Sequence, residues 1–168
     1  MAESKATIAS KIEIRKAIRE DRRTLEVLLA EVVAEGATVA YDTVAGLCSY
    51  WFDPQGALYV AESAGEVLGG YVVKANQPGR GDHVANAGYA VLDSWRGRGV
   101  GRRLAEHSLH TARELGFRAM QYNYVVATNT GAVHLWQEVG FAIVGTVPDA
   151  FRHADGRTVP VHVMYRTL

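Results

Sequence analysis

The spacing of apolar and polar positions predicts a chain that passes repeatedly between strands and helices. Apolar residues recur every three or four positions in four segments, which is typical of helices that bury one face. β-rich runs bounded by turn residues predict strands. Helices are expected between Asp21 and Gly36, over residues 42–53, from the glycine-rich stretch to Gly116, and over 130–139. Strands are expected near 12–17 and at 57–63, 66–76, 83–92, 118–127, 141–147 and 159–167.

This order of elements predicts the fold class. The succession β-α-α-β-β-β-α-β-α-β-β favours an α/β (α+β) three-layer domain, with a mixed sheet of about seven strands and about four helices packed on it. A length of 168 residues suits one domain. Residues 1–10 are predicted to be a flexible tail, and residues 11–168 to form the single domain.

Composition and charge narrow the class of function. Lys and Arg total 18, as do Asp and Glu, so no net charge attracts nucleic acid or a membrane surface. Neither partner is expected, and no apolar run is long enough to span a bilayer. The lone Cys48 cannot form an internal disulfide, which favours the cytoplasm. The six histidines form no metal-like cluster, so no metal is predicted; His107 and His110 read as a solvated helix face.

A glycine-rich stretch between a strand and a helix carries the clearest chemical signal. It runs Val91-Leu92-Asp93-Ser94-Trp95-Arg96-Gly97-Arg98-Gly99-Val100-Gly101-Arg102-Arg103. Glycines let successive backbone N–H groups face one point, and the helix N-terminus adds partial positive charge. The pattern predicts a cradle for a diphosphate, with arginines at its rim.

Three other interpretations of this loop make different demands on the sequence. A Walker loop requires Gly-Lys-Ser/Thr, whereas this loop ends Gly-Arg-Arg. A dinucleotide fingerprint requires G-x-G-x-x-G, which Gly97, Gly99 and Gly101 do not satisfy. A purely structural turn remains the alternative.

The pattern Arg96-x-x-Gly99-x-Gly101 resembles the acetyl-CoA motif of the GNAT (GCN5-related) N-acetyltransferase superfamily. The resemblance extends over residues 12–167, including the block from Asn129 to Phe141. It implies acetyl-CoA as co-substrate, with pantetheine lying between strands 83–92 and 118–127. The cofactor-binding residues that it implies are Tyr89, Ala90, Val91, Leu92, Arg96, Gly97, Arg98, Gly99, Val100, Gly101, Arg102 and Asn129.

A narrower resemblance rests on asparagines. Asn86, Asn123 and Asn129, with residues 151–153 and 161–166, are similar to the branch containing fungal proline-analogue (azetidine-2-carboxylate) acetyltransferases. This implies that Asn86 and Asn123 are catalytic and orient the substrate and the acetyl group. The alternative is that these strand asparagines satisfy buried backbone at a bulge.

The chain departs from the family pattern at two positions. Many members carry a tyrosine at the position of Trp136, where it protonates the departing thiolate; an indole N–H cannot supply that proton. Many also carry a glutamate base on the strand before the loop, but residues 84–92 contain no carboxylate. Amine deprotonation would then rely on water, on Asp82 or His83, or on an acceptor that arrives neutral.

These features together predict the function. The expected enzyme is an N-acetyltransferase acting on a small amine, with amino acids and cyclic imino acids as candidates, by direct attack in a ternary complex. A non-catalytic acyl-CoA sensor and a protein or peptide N-acetyltransferase are the alternatives. The resemblance also makes a homodimer possible. Of the other residues, Cys48, Tyr122 and Tyr124 are expected to pack in the core, and Tyr41, Tyr50 and Trp51 to pack helices or line the acceptor pocket.

Overall fold

The structure, a computed structural model, describes residues 11–168. The predicted tail at 1–10 lies outside these residues. The seven strands are β1 (Glu13–Lys16), β2 (Ala57–Ser63), β3 (Glu66–Ala75), β4 (Val84–Val91), β5 (Ala119–Val126), β6 (Ala142–Arg152) and β7 (Thr158–Thr167). The four helices are α1 (Arg22–Glu35), α2 (Val44–Trp51), α3 (Val100–Glu114) and α4 (Thr130–Glu138).

The strands form one mixed sheet with helices on both faces. Its strand order is β1-β2-β3-β4-β5-β7-β6. On one face, α1 and α2 bury Leu25, Leu28 and Trp51 against β2 and β3. On the other face, α3 and α4 bury residues such as Leu104 and Trp136 in a second core. The predicted three-layer α/β fold is confirmed, because each helix buries one apolar face against the sheet.

Two sequence-based details at the ends of elements are wrong. Helix α3 was expected to run as far as Gly116, but it ends at Glu114, and Leu115 is 53% exposed. Strand β6 was expected to stop near residue 147, yet it continues to Arg152. A register shift between Val147 and Phe151 lets β6 pass its internal proline and resume pairing with β7.

The sheet opens between its two parallel neighbours, β4 and β5. Their ladder consists of Val84 opposite Ala119 and Ala85 opposite Met120, and it stops there. Beyond Ala85, β4 continues to pair with β3 as far as Val91. The part of the sheet from β4 to β1 and the part from β5 to β6 therefore separate toward the carboxyl end of β4. No helix within residues 11–168 is long and apolar enough to cross a membrane.

Candidate functional site

The open side of β4 presents backbone groups that no strand pairs. Asn76 N–H donates to Val84 C=O at 2.8 Å, and Leu92 N–H donates to Leu68 C=O at 2.9 Å. In an antiparallel ladder the pairing side alternates, so the even-numbered residues of β4 bond to β3. The N–H and C=O of Ala87, Tyr89 and Val91 therefore face the opening.

The resemblance implied that four consecutive residues, Tyr89 to Leu92, bind the cofactor, and this alternation divides them into two pairs. Tyr89 and Val91 present backbone groups to the opening. Ala90 is paired with Gly70 on β3. Both backbone groups of Leu92 are already hydrogen-bonded: its N–H donates to Leu68 C=O, and its C=O accepts from Trp95 N–H at 2.9 Å. Only alternate residues of the segment can therefore bind a linear ligand by main-chain hydrogen bonds.

The glycine-rich loop ends at the N-terminus of α3, beside the wide end of the opening. Gly97 and Gly99 have φ of +72° and +81°, in the left-handed region that favours glycine. Gly99 is the N-cap residue, and no side chain caps the first turn. A Cβ at Gly97 or Gly99 would meet no protein atom within 4 Å. The first N–H groups of α3 and its partial positive charge are thus available to an anion.

The arginines around this loop have different partners. Arg96 donates from both terminal nitrogens to the carboxylate of Glu35, at 3.0 and 2.7 Å. This fork holds the loop against the end of α1, and it lowers the pKa of Glu35 below its usual value. Arg102 is paired with Glu138 of α4. Arg98 stacks over Trp95, with its guanidinium carbon 5.1 Å from the ring centroid.

A cluster of amide side chains lies at the narrow end of the opening. Asn86 on β4 and Asn123 on β5 project from the same face of the sheet. Met120 and Tyr122 project from the other face, where they are buried beneath α3 and α4. Asn123 donates to Asn76 Oδ1 at 2.6 Å. Gln121 donates to Asn123 Oδ1 at 2.9 Å.

These bonds also test the alternative role of the strand asparagines. That alternative is that a strand asparagine bonds to buried backbone at a bulge. Asn123 bonds to two side chains instead. A bulge does lie beside it, since the ladder of β5 with β7 shifts register between Tyr122 and Val125. Sequence analysis missed Asn76 and Gln121. Gln121 had a signal in its two-residue spacing from Asn123, which places both on one face of β5, whereas Asn76 follows β3 and had none.

The same register shift overturns the expectation for Tyr124. Tyr122 and Tyr124 were expected to share a buried face. Tyr122 is buried, but Tyr124 is 40% exposed and its hydroxyl donates to Ala150 C=O. The bulge inserts a residue, so Val125 takes the inward position and Tyr124 turns outward.

Aromatic residues close the opening on the α3 and α4 side. Trp136 is buried, with its ring centroid 4.8 Å from those of both Tyr89 and Tyr122. The hydroxyls of Tyr89 and Tyr122 are 2.8 Å apart across the diverging strands, and Ser108 lies 2.6 Å from Tyr89. Burial raises the pKa of Tyr89 to about 12, so its phenol stays protonated at neutral pH.

Asn129 begins α4. Its side-chain oxygen accepts from the N–H of Ala132 at 3.3 Å, which satisfies one of the free donors of the first turn. Its amide N–H groups are the part of the side chain that can reach a ligand.

Tyr50 and Gly88 bring α2 to the edge of the opening. A Cβ at Gly88 would lie 3.1 Å from Cε1 of Tyr50, so glycine permits this close approach. Burial raises the pKa of Tyr50 to about 12. The ring therefore lies beside the middle of β4 as a neutral phenol, on the same face as Asn86.

Two other residues singled out in the sequence lie outside this cluster. Cys48 is half-buried among the residues that pack α1 and α2 on the sheet, and burial raises the pKa of its thiol. His107 is not on a solvated face: it is half-buried, with Nδ1 2.8 Å from the Tyr71 hydroxyl. Within residues 11–168, no three His, Cys, Asp or Glu side chains are grouped as a metal site.

Comparison with known proteins identifies the family to which this arrangement belongs. The model of the Acetyltransferase (GNAT) family matches residues 17–141, which include the opening, the glycine loop and α4. The chain belongs to the GNAT family. The superfamily expected from the Arg96-x-x-Gly99-x-Gly101 pattern is therefore confirmed.

Individual GNAT proteins resemble the chain to different extents. The N-acetyltransferase aca1 of Schizosaccharomyces pombe is 40% identical over 86 residues, which are 51% of this chain and 41% of that protein. The chain thus spans about two fifths of the length of this curated relative.

Two solved structures share the whole fold. A GCN5-related N-acetyltransferase from Kribbella flavida is 43% identical, with a TM-score of 0.87 over 94% of this chain and 98% of that one. The acetyltransferase yncA from Salmonella typhimurium, solved with acetyl-CoA, has a TM-score of 0.85 over 95% of each chain at 20% identity.

Proposed function

We propose that this protein transfers an acetyl group from acetyl-CoA to the nitrogen of a small amine, by direct attack in a ternary complex. The observation that carries the proposal is the path along β4. It leads from the uncapped N-terminus of α3, past the unpaired backbone of Val91 and Tyr89, to the amides of Asn86 and Asn123.

The residues present fit acetyl-CoA at each part of this path. The loop from Arg96 to Gly101 offers N–H groups without Cβ obstruction, which suits a pyrophosphate. Arg98, stacked over Trp95, supplies a cation at its rim, whereas Arg96 and Arg102 hold the loop and α3 in place through ion pairs. The unpaired N–H and C=O groups of Tyr89 and Val91 suit the amides of pantetheine.

The amide cluster suits the acetyl end of acetyl-CoA. When an amine attacks the thioester carbonyl, the C–N bond forms, the C–S bond breaks and negative charge develops on the carbonyl oxygen. Asn123 uses one N–H for Asn76 and retains a second, which can donate to that oxygen. Because Gln121 and Asn76 fix both ends of its amide, the donor is held in position before substrate binds.

Proton transfer has no carboxylate on β4 to rely on, and the Asp53 carboxylate nearby is paired with Lys74. The phenol of Tyr50 has a pKa of about 12 and stays protonated. We propose that the acceptor nitrogen enters neutral or loses its proton to water, that the proton released after the C–N bond forms passes to water, and that CoA leaves as the thiolate without a tyrosine acid. Trp136 serves in packing, since it is buried between Tyr89 and Tyr122.

No covalent acyl-enzyme is proposed. Cys48 lies on α2 in the helix-packing core, and its raised pKa keeps it a thiol, which is a poor nucleophile. Intact-mass measurement of protein incubated with acetyl-CoA alone should show no stable acetyl adduct on Cys48. An acetylated Cys48 that passes its acetyl group to an added amine would overturn the direct mechanism.

The proposed function is tested by thiol release from acetyl-CoA in the presence of a panel of small amines. Amine-dependent release, with the acetylated amine identified by mass spectrometry, is the expected result. The absence of proton-transfer groups on β4 favours one rival, an acyl-CoA sensor. Tight CoA binding without release for any amine would favour the sensor and contradict the enzyme.

A further inference from the structure

A charged cluster that the transfer chemistry does not use lies beside Asn86. Lys74 of β3 is the cross-strand partner of Asn86, so the two side chains project from the same face of the sheet. Lys74 Nζ lies 2.8 Å from Asp53 Oδ2 and 3.4 Å from the Tyr50 carbonyl oxygen. It also lies 4.1 Å from the centroid of the Tyr50 ring.

The ammonium of Lys74 is held in place but keeps donor capacity. An ammonium has three N–H donors, and Asp53 and the Tyr50 carbonyl account for two of them. Its side chain is only 17% exposed, and the Tyr50 ring stabilises the cation in that position. Because a half-buried cation interacts more strongly with an anion than an exposed one, the remaining donor favours a negatively charged ligand.

The remaining N–H donor of Lys74 lies close to the site proposed for the amine that accepts the acetyl group. Cross-strand neighbours have Cα atoms about 5.5 Å apart when they exchange hydrogen bonds, and the nitrogen and carboxylate of an α-amino acid, which share one carbon, fit within that span. An amine placed at Asn86 and Gly88 would thus have Lys74 within reach of a carboxylate on the neighbouring carbon. Tyr50 would cover the apolar part of such a molecule, since its ring adjoins Gly88.

We propose that Lys74, held by Asp53 and Tyr50, binds the carboxylate of the acceptor and selects amino or imino acids over uncharged amines. This inference rests on the proposed acetyl transfer at Asn86 and Asn123. Lys74 is then a specificity-determining residue, and its cation takes no part in breaking the thioester.

The test uses amino and imino acids, each with its own primary amide, including L-proline with L-prolinamide and L-alanine with L-alaninamide. The wild type should have a higher kcat/KM for each acid than for its amide. In Lys74→Met this ratio should fall about tenfold or more, because a charge-assisted hydrogen bond is lost. The fall should appear in KM for the acids, with KM for the amides little changed.

Two variants control for folding and for net charge. Lys74→Arg keeps a cation and should retain most of the preference. Lys16→Met removes an exposed lysine from β1, three strands away from β4, and should leave the ratio unchanged. Thermal melting of each variant shows that the comparison is made on folded protein.

A binding measurement separates failure of this inference from failure of the proposed function. Calorimetry of acid or amide with the protein–CoA complex requires no turnover. Equal use and equal binding of acids and amides in wild type and Lys74→Met would overturn the inference while acetyl transfer stands. Lys74-dependent binding of acids without thiol release would support the carboxylate site and contradict the enzyme.

Discussion

The neutral amides at the narrow end of the opening set how the site responds to charge. Asn86 and Asn123 do not ionise, so neither adds an acidic or basic limb to a pH profile. The hydrogen bonds of Asn123 to Gln121 and Asn76 hold a donor toward a developing oxyanion without placing a charge there in the ground state. Reactivity should then follow the fraction of acceptor that is unprotonated.

At the corner of the fold a single carboxylate joins β1 to the start of α1. Asp21 is buried, accepts from both terminal nitrogens of Arg15 at 2.7 and 3.0 Å, and accepts from Ile18 N–H at 2.8 Å. The Arg15 bonds hold the pKa of Asp21 below its ordinary value. Asp21→Asn should therefore lower the free energy of unfolding by about 2 kcal/mol at neutral pH.

The difference in unfolding free energy between the wild type and Asp21→Asn depends on pH, and the lowered pKa of Asp21 sets the direction of that dependence. Because the folded pKa is lowered, the carboxylate stabilises the fold above its unfolded pKa of about 3.9 and loses this effect as pH falls through the folded value. Urea unfolding of both proteins from pH 7 to pH 3 should show the gap narrowing below about pH 4. Asp155→Asn, which breaks an exposed pair with Arg157, should change stability little. A gap that widens in acid would contradict the assignment.

Individual residues also show where sequence reasoning reached and where it stopped. The loop glycines could be singled out because the turn requires them, and Asn86 and Asn123 because the resemblance implied roles for them. Lys74, Asp53 and Asn76 could not, because their relation to Asn86 depends on the register of β3 with β4 and on how α2 ends. Neither can be deduced from hydrophobic periodicity.

At the scale of elements, α3 and its loop combine a conformational requirement with an open anion site. Gly99 and Gly116 lie at opposite ends of α3 with φ of +81° and +88°, and an added Cβ at either would meet no protein atom within 4 Å. Gly99→Ala and Gly116→Ala should each cost about 1–2 kcal/mol in stability from the left-handed conformation. They form a matched pair, because only Gly99 borders the loop.

Binding should distinguish the two substitutions. Gly99→Ala should weaken CoA about tenfold or more, since its methyl group would enter the space proposed for the pyrophosphate. Gly116→Ala should bind CoA as the wild type does. Calorimetric titration with CoA measures both affinities, and equal affinities in the two variants would rule out the loop as the pyrophosphate site.

Element boundaries were predictable where local chemistry determines them. Gly36 ends α1 in the left-handed conformation, and Asn129 caps α4. Strand β6 was predicted too short because Pro148 interrupts its apolar pattern, whereas pairing with β7 continues through a register shift. Tyr124 was assigned to the wrong face for the same kind of reason, since strand alternation fails at a bulge that long-range pairing creates.

Across the whole molecule, the divergence of β4 from β5 converts a continuous sheet into a binding site. The order of elements predicted a mixed sheet, and the resemblance implied that these two strands are neighbours and that they part. The place where they part is set by packing: Trp136, Tyr89 and Tyr122 fill the space beneath the opening from the α3 and α4 side. Such three-dimensional filling has no signature in periodicity along the chain.

The alternation of backbone groups along β4 gives a prediction for this opening. Amide exchange at Tyr89 and Val91 should slow on adding CoA, because their N–H groups face the opening. Exchange at Ala90 should change less, since its N–H is already bonded to β3. Hydrogen exchange followed residue by residue by NMR makes this comparison. Slowing confined to Ala90 would place the ligand elsewhere.

Turnover by the Asn123→Ala variant tests the central claim most directly. Thiol release from acetyl-CoA with the preferred amine should fall about 100-fold in kcat, because a positioned oxyanion donor is lost. CoA affinity should persist, and Gln137→Ala, which removes an exposed amide from α4, should match the wild type. Undiminished turnover in a folded Asn123→Ala variant would contradict the account of this site.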